Sequence, residues 1–187
     1  MSRGASGLGP GDALDTPRLS LRRWTEKDAG ALHAAFGDAE SMRFWDSLPS
    51  RDVAETVERI RGSLTVSAEW HAAFAVTLRQ TQQVVGMVNY HDHRAAQRRL
   101  AVGWIVLPAW RGNGIAGEAA TALLRYCFTT LGSNRIEARI EPENAPSLSV
   151  AARLGFQREG LMRAWLVVDG KARDMLMLSL LREDWKD

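Results

Sequence analysis

The stretch WIVLPAWRGNGIAGE, Trp104 to Glu118, decides how this chain folds. It begins inside an apolar run, 98–107, that reads as a strand. It turns at Pro108, passes Gly112 and Gly114, and enters the clearest helix of the sequence, 115–131. There Ile115, Ala119, Ala120, Leu123, Leu124, Cys127, Phe128 and Leu131 share one stripe, and Gly132 ends it. A strand that reaches a helix through glycines is a place where anions bind. Glycine takes positive φ and lets a ligand approach the backbone. The first helical amides have no partners and sit at the positive end of the dipole. Phosphate or pyrophosphate is the natural ligand, although a tight loop that needs glycines for shape alone accounts for the motif as well. A P-loop requires Lys and Ser or Thr after its last glycine, and Ile115 and Ala116 stand there instead. Gly112, Gly114 and Gly117 spell G-x-G-x-x-G. However, the residues from Pro108 to Arg111 separate them from the strand, whereas a dinucleotide fingerprint follows its strand directly.

Working outward, residues 134–141 alternate and predict a strand that should lie parallel to 98–107, since a full helix joins the two. Residues 70–79 and 83–92 read as a hairpin. Pro146–Leu154 is a short helix stopped by Gly155. Residues 156–162 and 164–168 approach a second hairpin, whose turn is Asp169-Gly170 and whose last strand is 175–181. Toward the N-terminus, 18–24 alternates as a strand and Thr25 with Asp28 resembles a capping box before a helix to Phe36. Ser50 caps a helix carrying Val53, Val57, Ile60 and Leu64. The fold class is therefore α/β, a mixed sheet with helices on both faces. Residues 1–16 hold four Gly and one Pro and should be a disordered tail; 17–187 form a single domain.

Composition narrows the function. Lys and Arg number 24 against 22 Asp and Glu, a net +2 too mild for a dedicated nucleic-acid binder. One Cys and four His argue against a disulfide or a metal centre. No apolar run nears the roughly 20 residues of a membrane span, and no signal segment opens the chain. A cytoplasmic protein without a membrane or nucleic-acid partner is expected.

Arg111, Gly114 and Ala116 also fit R-x-x-G-x-A, and here the sequence resembles the GNAT family of acyl-CoA-dependent N-acyltransferases. VGWIVLPAWRGNGIAGEA (102–119) is similar to its fourth strand, pyrophosphate loop and third helix. ENAPSLSVAARLGFQREG (143–160), DMLMLSLLREDW (174–185) and TPRLSLRRWTEKDAGAL (16–32) resemble, in order, segments of the branch that acetylates ribosomal-protein N-termini. The resemblance implies a GNAT-like fold, a mostly antiparallel sheet with one splayed parallel pair. It implies acetyl-CoA as co-substrate, with the pantetheine arm along the backbone of Trp104, Ile105 and Val106. The pyrophosphate would lie on the amides of Arg111, Gly112, Asn113, Gly114, Ile115 and Ala116. Asn144 would bind pantetheine or position the substrate, and Ser147 would protonate the leaving thiolate. Many relatives carry a Glu base where Ala101 stands here.

Amine acylation needs a neutral amine, donors for the developing oxyanion and a proton for the thiolate. With no carboxylate at Ala101, Glu141 at a strand end and His91, Asp92 and His93, where the two histidines alternate around the aspartate, become the base candidates beside a water path. Phe44, Trp45, Tyr90 and Trp165 are candidate walls for the acceptor, some of them core. Asp46 or Asp174 could meet a cationic amine. Cys127, on the apolar stripe, is read as core. The acceptor would be a small-molecule or peptide amine and the protein a monomer or homodimer. A non-catalytic acyl-CoA sensor, or transfer of a larger acyl group such as succinyl, is the alternative.

Overall fold

The structure, a computed structural model, describes residues 13–186. In chain order it contains β1 (Ala13–Asp15), β2 (Leu19–Arg23), α1 (Ala29–Phe36), α2 (Ala39–Met42), α3 (Val53–Thr65), β3 (Ala72–Leu78) and β4 (Val84–Arg94). After these come β5 (Arg99–Val106), α4 (Ile115–Thr129), β6 (Arg135–Ile140), α5 (Ala145–Arg153), β7 (Gln157–Val168) and β8 (Lys171–Leu181). The strands make one sheet in the order β1-β2-β3-β4-β5-β6-β8-β7. Every pair is antiparallel except β5 with β6. This is the mixed, mostly antiparallel sheet that the sequence implied.

Residues directly opposite one another on paired strands share a face. On one face Phe74, Tyr90, Val102, Ala138 and Leu178 pack under α4 and α5, which contribute Ala119, Leu123, Cys127 and Ala151. On the other, Ala73, Ala75, Met87 and Ile105 meet Leu32 and Phe36 of α1, Met42 of α2 and Ile60 of α3. Cys127 is fully buried, and burial pushes its thiol well above the usual value, as a core residue requires.

Two expectations are corrected. The end of the tail is ordered: Ala13–Asp15 pairs with β2, Leu14 packs on the core, and the Thr16 hydroxyl donates to Glu118 Oε1 at 2.5 Å. The free edge of β2 and the Glu118 carboxylate give this segment partners that its Gly-rich composition concealed. Residues 1–12 lie outside the described residues. The cap of α3 is Asp52, whose carboxylate accepts from the Glu55 amide at 2.8 Å; Ser50 is buried and donates its own amide to the Phe36 carbonyl. Elsewhere the capping box holds, with the Thr25 amide and hydroxyl both donating to Asp28 Oδ2. The Asp169-Gly170 turn takes positive φ at both positions, 51° and 70°, as a type I′ hairpin needs.

Candidate active site

The parallel ladder between β5 and β6 is short. Arg99 pairs with Arg135, Leu100 with Ile136 and Ala101 with Glu137, and there it stops. From Val102 on β5 and Ala138 on β6 the facing edges have no strand partner, so the sheet opens between them. An open strand edge presents backbone donors and acceptors to any extended ligand. Trp104 is turned to the α4 side, where it packs on the core, and Ile105 to the helices on the other side. What Trp104, Ile105 and Val106 offer at the opening is therefore backbone.

β5 leads through a short turn at Pro108–Trp110 into the glycine loop. Gly112 and Gly114 have φ of 79° and 74°, and Gly114 is the N-cap of α4 with no side chain capping the helix. A Cβ on Gly112 would touch nothing within 4 Å, so the glycine is needed there for conformation and not for space. Arg111 is tethered behind the loop. Its Nη2 donates to Ser41 Oγ at 2.5 Å and its Nε to the Val106 carbonyl at 3.4 Å, while Ser41 donates to Asp38. The Ser41 hydrogen bonds hold the Asp38 carboxyl below its usual range. On the other flank Arg18 donates to the Asn113 carbonyl and pairs with Glu118 at 2.6 Å. Uncapped amides, positive φ and two arginines suit an anion, and the open edge beside them suits an extended arm. The residues from Arg111 to Ala116 thus fit a pyrophosphate, and the edge at Trp104 to Val106 fits an extended arm such as pantetheine.

Past β6, Asn144 is the N-cap of α5: its Oδ1 accepts the Ser147 amide at 3.2 Å. The Ser147 hydroxyl has no hydrogen-bond partner among the described residues and is half-buried near the opening. The two residues expected to act together thus divide. The Asn144 oxygen holds the helix, and the Ser147 hydroxyl is free.

The base candidates divide as well. Glu141 at the end of β6 accepts from Arg173 Nη1 at 3.1 Å, and that same nitrogen donates to the Arg43 and Trp45 carbonyls. Arg173 thus ties β8 to the segment after α2, and Glu141 is held by it at the end of β6. His93 leaves the face of His91, because a bulge at Asp92 (φ 51°) breaks the alternation, and its Nδ1 meets the Glu69 carbonyl at 2.8 Å. His91 stays at the site, directly opposite Ala101, which is directly opposite Glu137. Its Nδ1 is sealed from solvent without a partner. Burial pushes the imidazole below its usual value and Arg139 adds to this, against the pull of Asp92, Asp46 and Glu137. Beside it burial holds His71 down to about 4.

Of the expected walls, Tyr90 is in the core: it faces α4, packs on Phe74 and Tyr126, and donates its hydroxyl to the Ala68 carbonyl at 2.6 Å. Even spacing along β4 turns Tyr90 away from His91. Phe44 lines a cavity of about 490 Å³ together with Arg43, Glu141, Glu143, Arg173 and Asp174. Trp45 packs its edge on Phe36, and Trp165 on β7, half exposed, lies under the Arg139 guanidinium. Asp174 accepts the Ala164 amide at 2.8 Å, where the backbone takes φ 50°, and so is structural.

Three residues beside His91 were not singled out as site candidates in the sequence. Glu137 accepts from Arg135 at 2.9 Å and lies near Arg139 and Arg99. Arg139 also binds Asp92 at 2.6 Å. Asn89 stands opposite Gly103 with a buried, unpartnered Oδ1. Only the strand register, which brings β4, β5 and β6 together, could have found them.

Comparison with known proteins gives the class. Residues 18–157 match the family model described as an acetyltransferase (GNAT) domain, and the chain belongs to that family. It is an N-acetyltransferase, and the family takes its acetyl group from acetyl-CoA. More particularly, it is 33% identical over 175 residues to the uncharacterised N-acetyltransferase p20 of Bacillus licheniformis, covering 93% of this chain and 98% of that one. It is 31% identical over 182 residues to the ribosomal protein uS5 alanine N-acetyltransferase of Escherichia coli, covering 92% of each. The structure of Mycobacterium smegmatis RimJ in complex with CoA-disulfide superposes with a TM-score of 0.80 at 29% identity, over 90% of this chain and 84% of that one. Among the described residues no helix is long and apolar enough to cross a membrane, and no three His, Cys, Asp or Glu side chains are grouped as a metal ion would need.

Proposed function

We propose that the chain acetylates a neutral primary amine at the opening between β5 and β6, with acetyl-CoA as donor and a peptide N-terminus as the preferred acceptor. The ladder that ends at Ala101 and Glu137, on the strand that feeds the glycine loop, carries this reading. Acetyl-CoA supplies the acetyl group as a thioester. The backbone amides of 111–116 hold its phosphates, and the edge of β5 from Val102 holds its arm and donates to the acetyl oxygen as negative charge develops there. The acceptor approaches from the α1–α3 side, past Phe44, Trp45 and Trp165. Its nitrogen bonds to the acetyl carbon and the carbon–sulfur bond breaks. His91 Nδ1 takes the amine proton, and the Ser147 hydroxyl gives a proton to the departing sulfur. Likeness to the Escherichia coli enzyme, named for a ribosomal-protein alanine, favours the peptide.

Acetyl-CoA at about 100 times its dissociation constant should add about 2.7 kcal/mol and raise Tm by about 5–10 °C, while NADH should not. Adding peptides that begin with Ala or Ser should then release CoA thiol. A chain that merely senses acyl-CoA, which the missing carboxylate at Ala101 favours, would show the shift without the release. No shift at all would refute the cofactor site.

A further inference from the structure

Asn89 lies two residues before His91 on β4, so both side chains emerge on the same face, their Cα atoms roughly 7 Å apart. Across from them on β5 stand the two smallest residues of that strand, Gly103 opposite Asn89 and Ala101 opposite His91. Asn89 and His91 thus stand across from the part of β5 with the least side chain, a glycine and an alanine. Asn89 Oδ1 and His91 Nδ1 are both sealed from solvent and both lack a partner. One buried unpaired acceptor is a cost that native folds rarely carry; two side by side point to something that arrives to pair with them. Gly103 belongs to the same arrangement. A Cβ at that position would stand 2.7 Å from Asn89 Oδ1 and would push the amide aside. Ala101 and Gly103 lie where β5 begins to part from β6, next to the edge assigned above to the thioester.

We propose that Asn89 determines the acceptor class: its side-chain oxygen receives one N–H of the attacking amine while His91 receives the other. This rests on the acetyltransferase reading above. A neutral primary amine has one lone pair and two N–H groups. The lone pair forms the bond to the acetyl carbon, and the proton that must leave goes to His91 Nδ1. The remaining N–H stays on Asn89 Oδ1 and persists in the amide product. A secondary amine has a single N–H. Once that proton goes to His91, Asn89 Oδ1 stays buried and unpaired, a penalty of about 10- to 100-fold in rate. The site thus selects primary amines and rejects N-methylated or N-terminal proline acceptors.

The test uses acetyl-CoA with peptides beginning in Ala or Ser and the same peptides N-methylated at the first residue, read as kcat/KM from thiol release. The wild type should prefer the primary amines at least about 10-fold. Asn89→Leu, close in size but without an acceptor, should lose most of its rate on the primary amines and close that ratio to within about threefold. Asn89→Asp keeps an acceptor oxygen and should keep the ratio. Gly103→Ala displaces Oδ1 and should narrow the ratio; it decides the matter if Asn89→Leu does not fold, as judged by the acetyl-CoA thermal shift. A preserved ratio in Asn89→Leu, or in Gly103→Ala where Asn89→Leu is unfolded, overturns the assignment. A wild type that acetylates both amines equally overturns it alone. A wild type that binds acetyl-CoA but acetylates neither overturns the acetyltransferase reading with it.

Discussion

The glycine loop from Arg111 to Ala116 and the wall made by Asn89, His91, Ala101 and Glu137 both border β5, yet they offer a ligand opposite things. The loop is exposed and offers backbone amides; its side chains, Arg111 and Asn113, are tied back to Ser41, Val106 and the loop itself. The wall offers side chains withdrawn from water, and burial, with charges on β4, on β6 and at Asp46, sets the protonation of His91. A backbone site is damaged by changing conformation and is indifferent to pH. A side-chain site is damaged by changing chemistry and carries a pH signature. Three substitutions test whether the contrast holds.

The largest effect is expected at the wall. If His91 takes the amine proton, His91→Gln should lower turnover by about 10²–10⁴-fold and leave acetyl-CoA affinity unchanged. The pH profile adds a second reading. The folded value of His91 lies below the ordinary 6.5, so the imidazole is a competent base through neutral pH and the acid limb of kcat should fall below 6.5. Above that limb, kcat/KM should still rise as the free amine deprotonates. His91→Gln should remove the acid limb alone. Stability follows the same sign. His91 and His71 both have depressed values in the folded chain, so unfolding takes up protons at low pH. Their contribution is complete above 6.5 and is lost as pH falls toward the His71 value of about 4. A turnover loss smaller than tenfold would move the proton to a water path.

The loop should respond differently. Gly114→Val forces a β-branched residue to φ of 74°, at a strain of about 1–3 kcal/mol, beside the first free amides of α4. Acetyl-CoA affinity should fall at least about tenfold at every pH, seen as loss of the thermal shift. Gly112→Ala shares the strain but meets no atom within 4 Å, so it should cost less. A loss of affinity that varied with pH would break the contrast between backbone and side-chain sites.

The same contrast explains which parts were legible in advance. The strand, loop and helix from 98 to 131 are contiguous, and their signals of apolar period, glycines and cap obey local rules; all three elements are present where expected. The parallel neighbour of β5 followed from the length of the helix between the strands. The wall follows no local rule. Asn89 and His91 matter because of what stands across from them, and register is fixed by tertiary packing. Alternation alone placed His93 beside His91, but the positive φ at Asp92 turns it to Glu69. Tyr90 looked like a wall because it is aromatic and near the site, yet period two sends it into the core beneath α4. Glu141 looked like a base at a strand end, and only the fold reveals Arg173 reaching it from β8.

The smallest effect separates two residues of a single turn. The Asn144 oxygen caps α5 by accepting the Ser147 amide, whereas the Ser147 hydroxyl binds nothing among the described residues. Replacing a capping side chain by Ala costs about 1 kcal/mol, which in a chain of this size is a Tm loss of about 2–4 °C. Asn144→Ala should show that loss without acetyl-CoA present, whatever it does to activity. Ser147→Ala keeps the amide that the cap uses and removes only a free hydroxyl, so its stability should stay within about 0.5 kcal/mol of wild type. Its defect should appear in kcat alone. If instead Ser147→Ala melts lower than Asn144→Ala, the hydroxyl is part of the helix start and the proton for the departing thiolate comes from elsewhere.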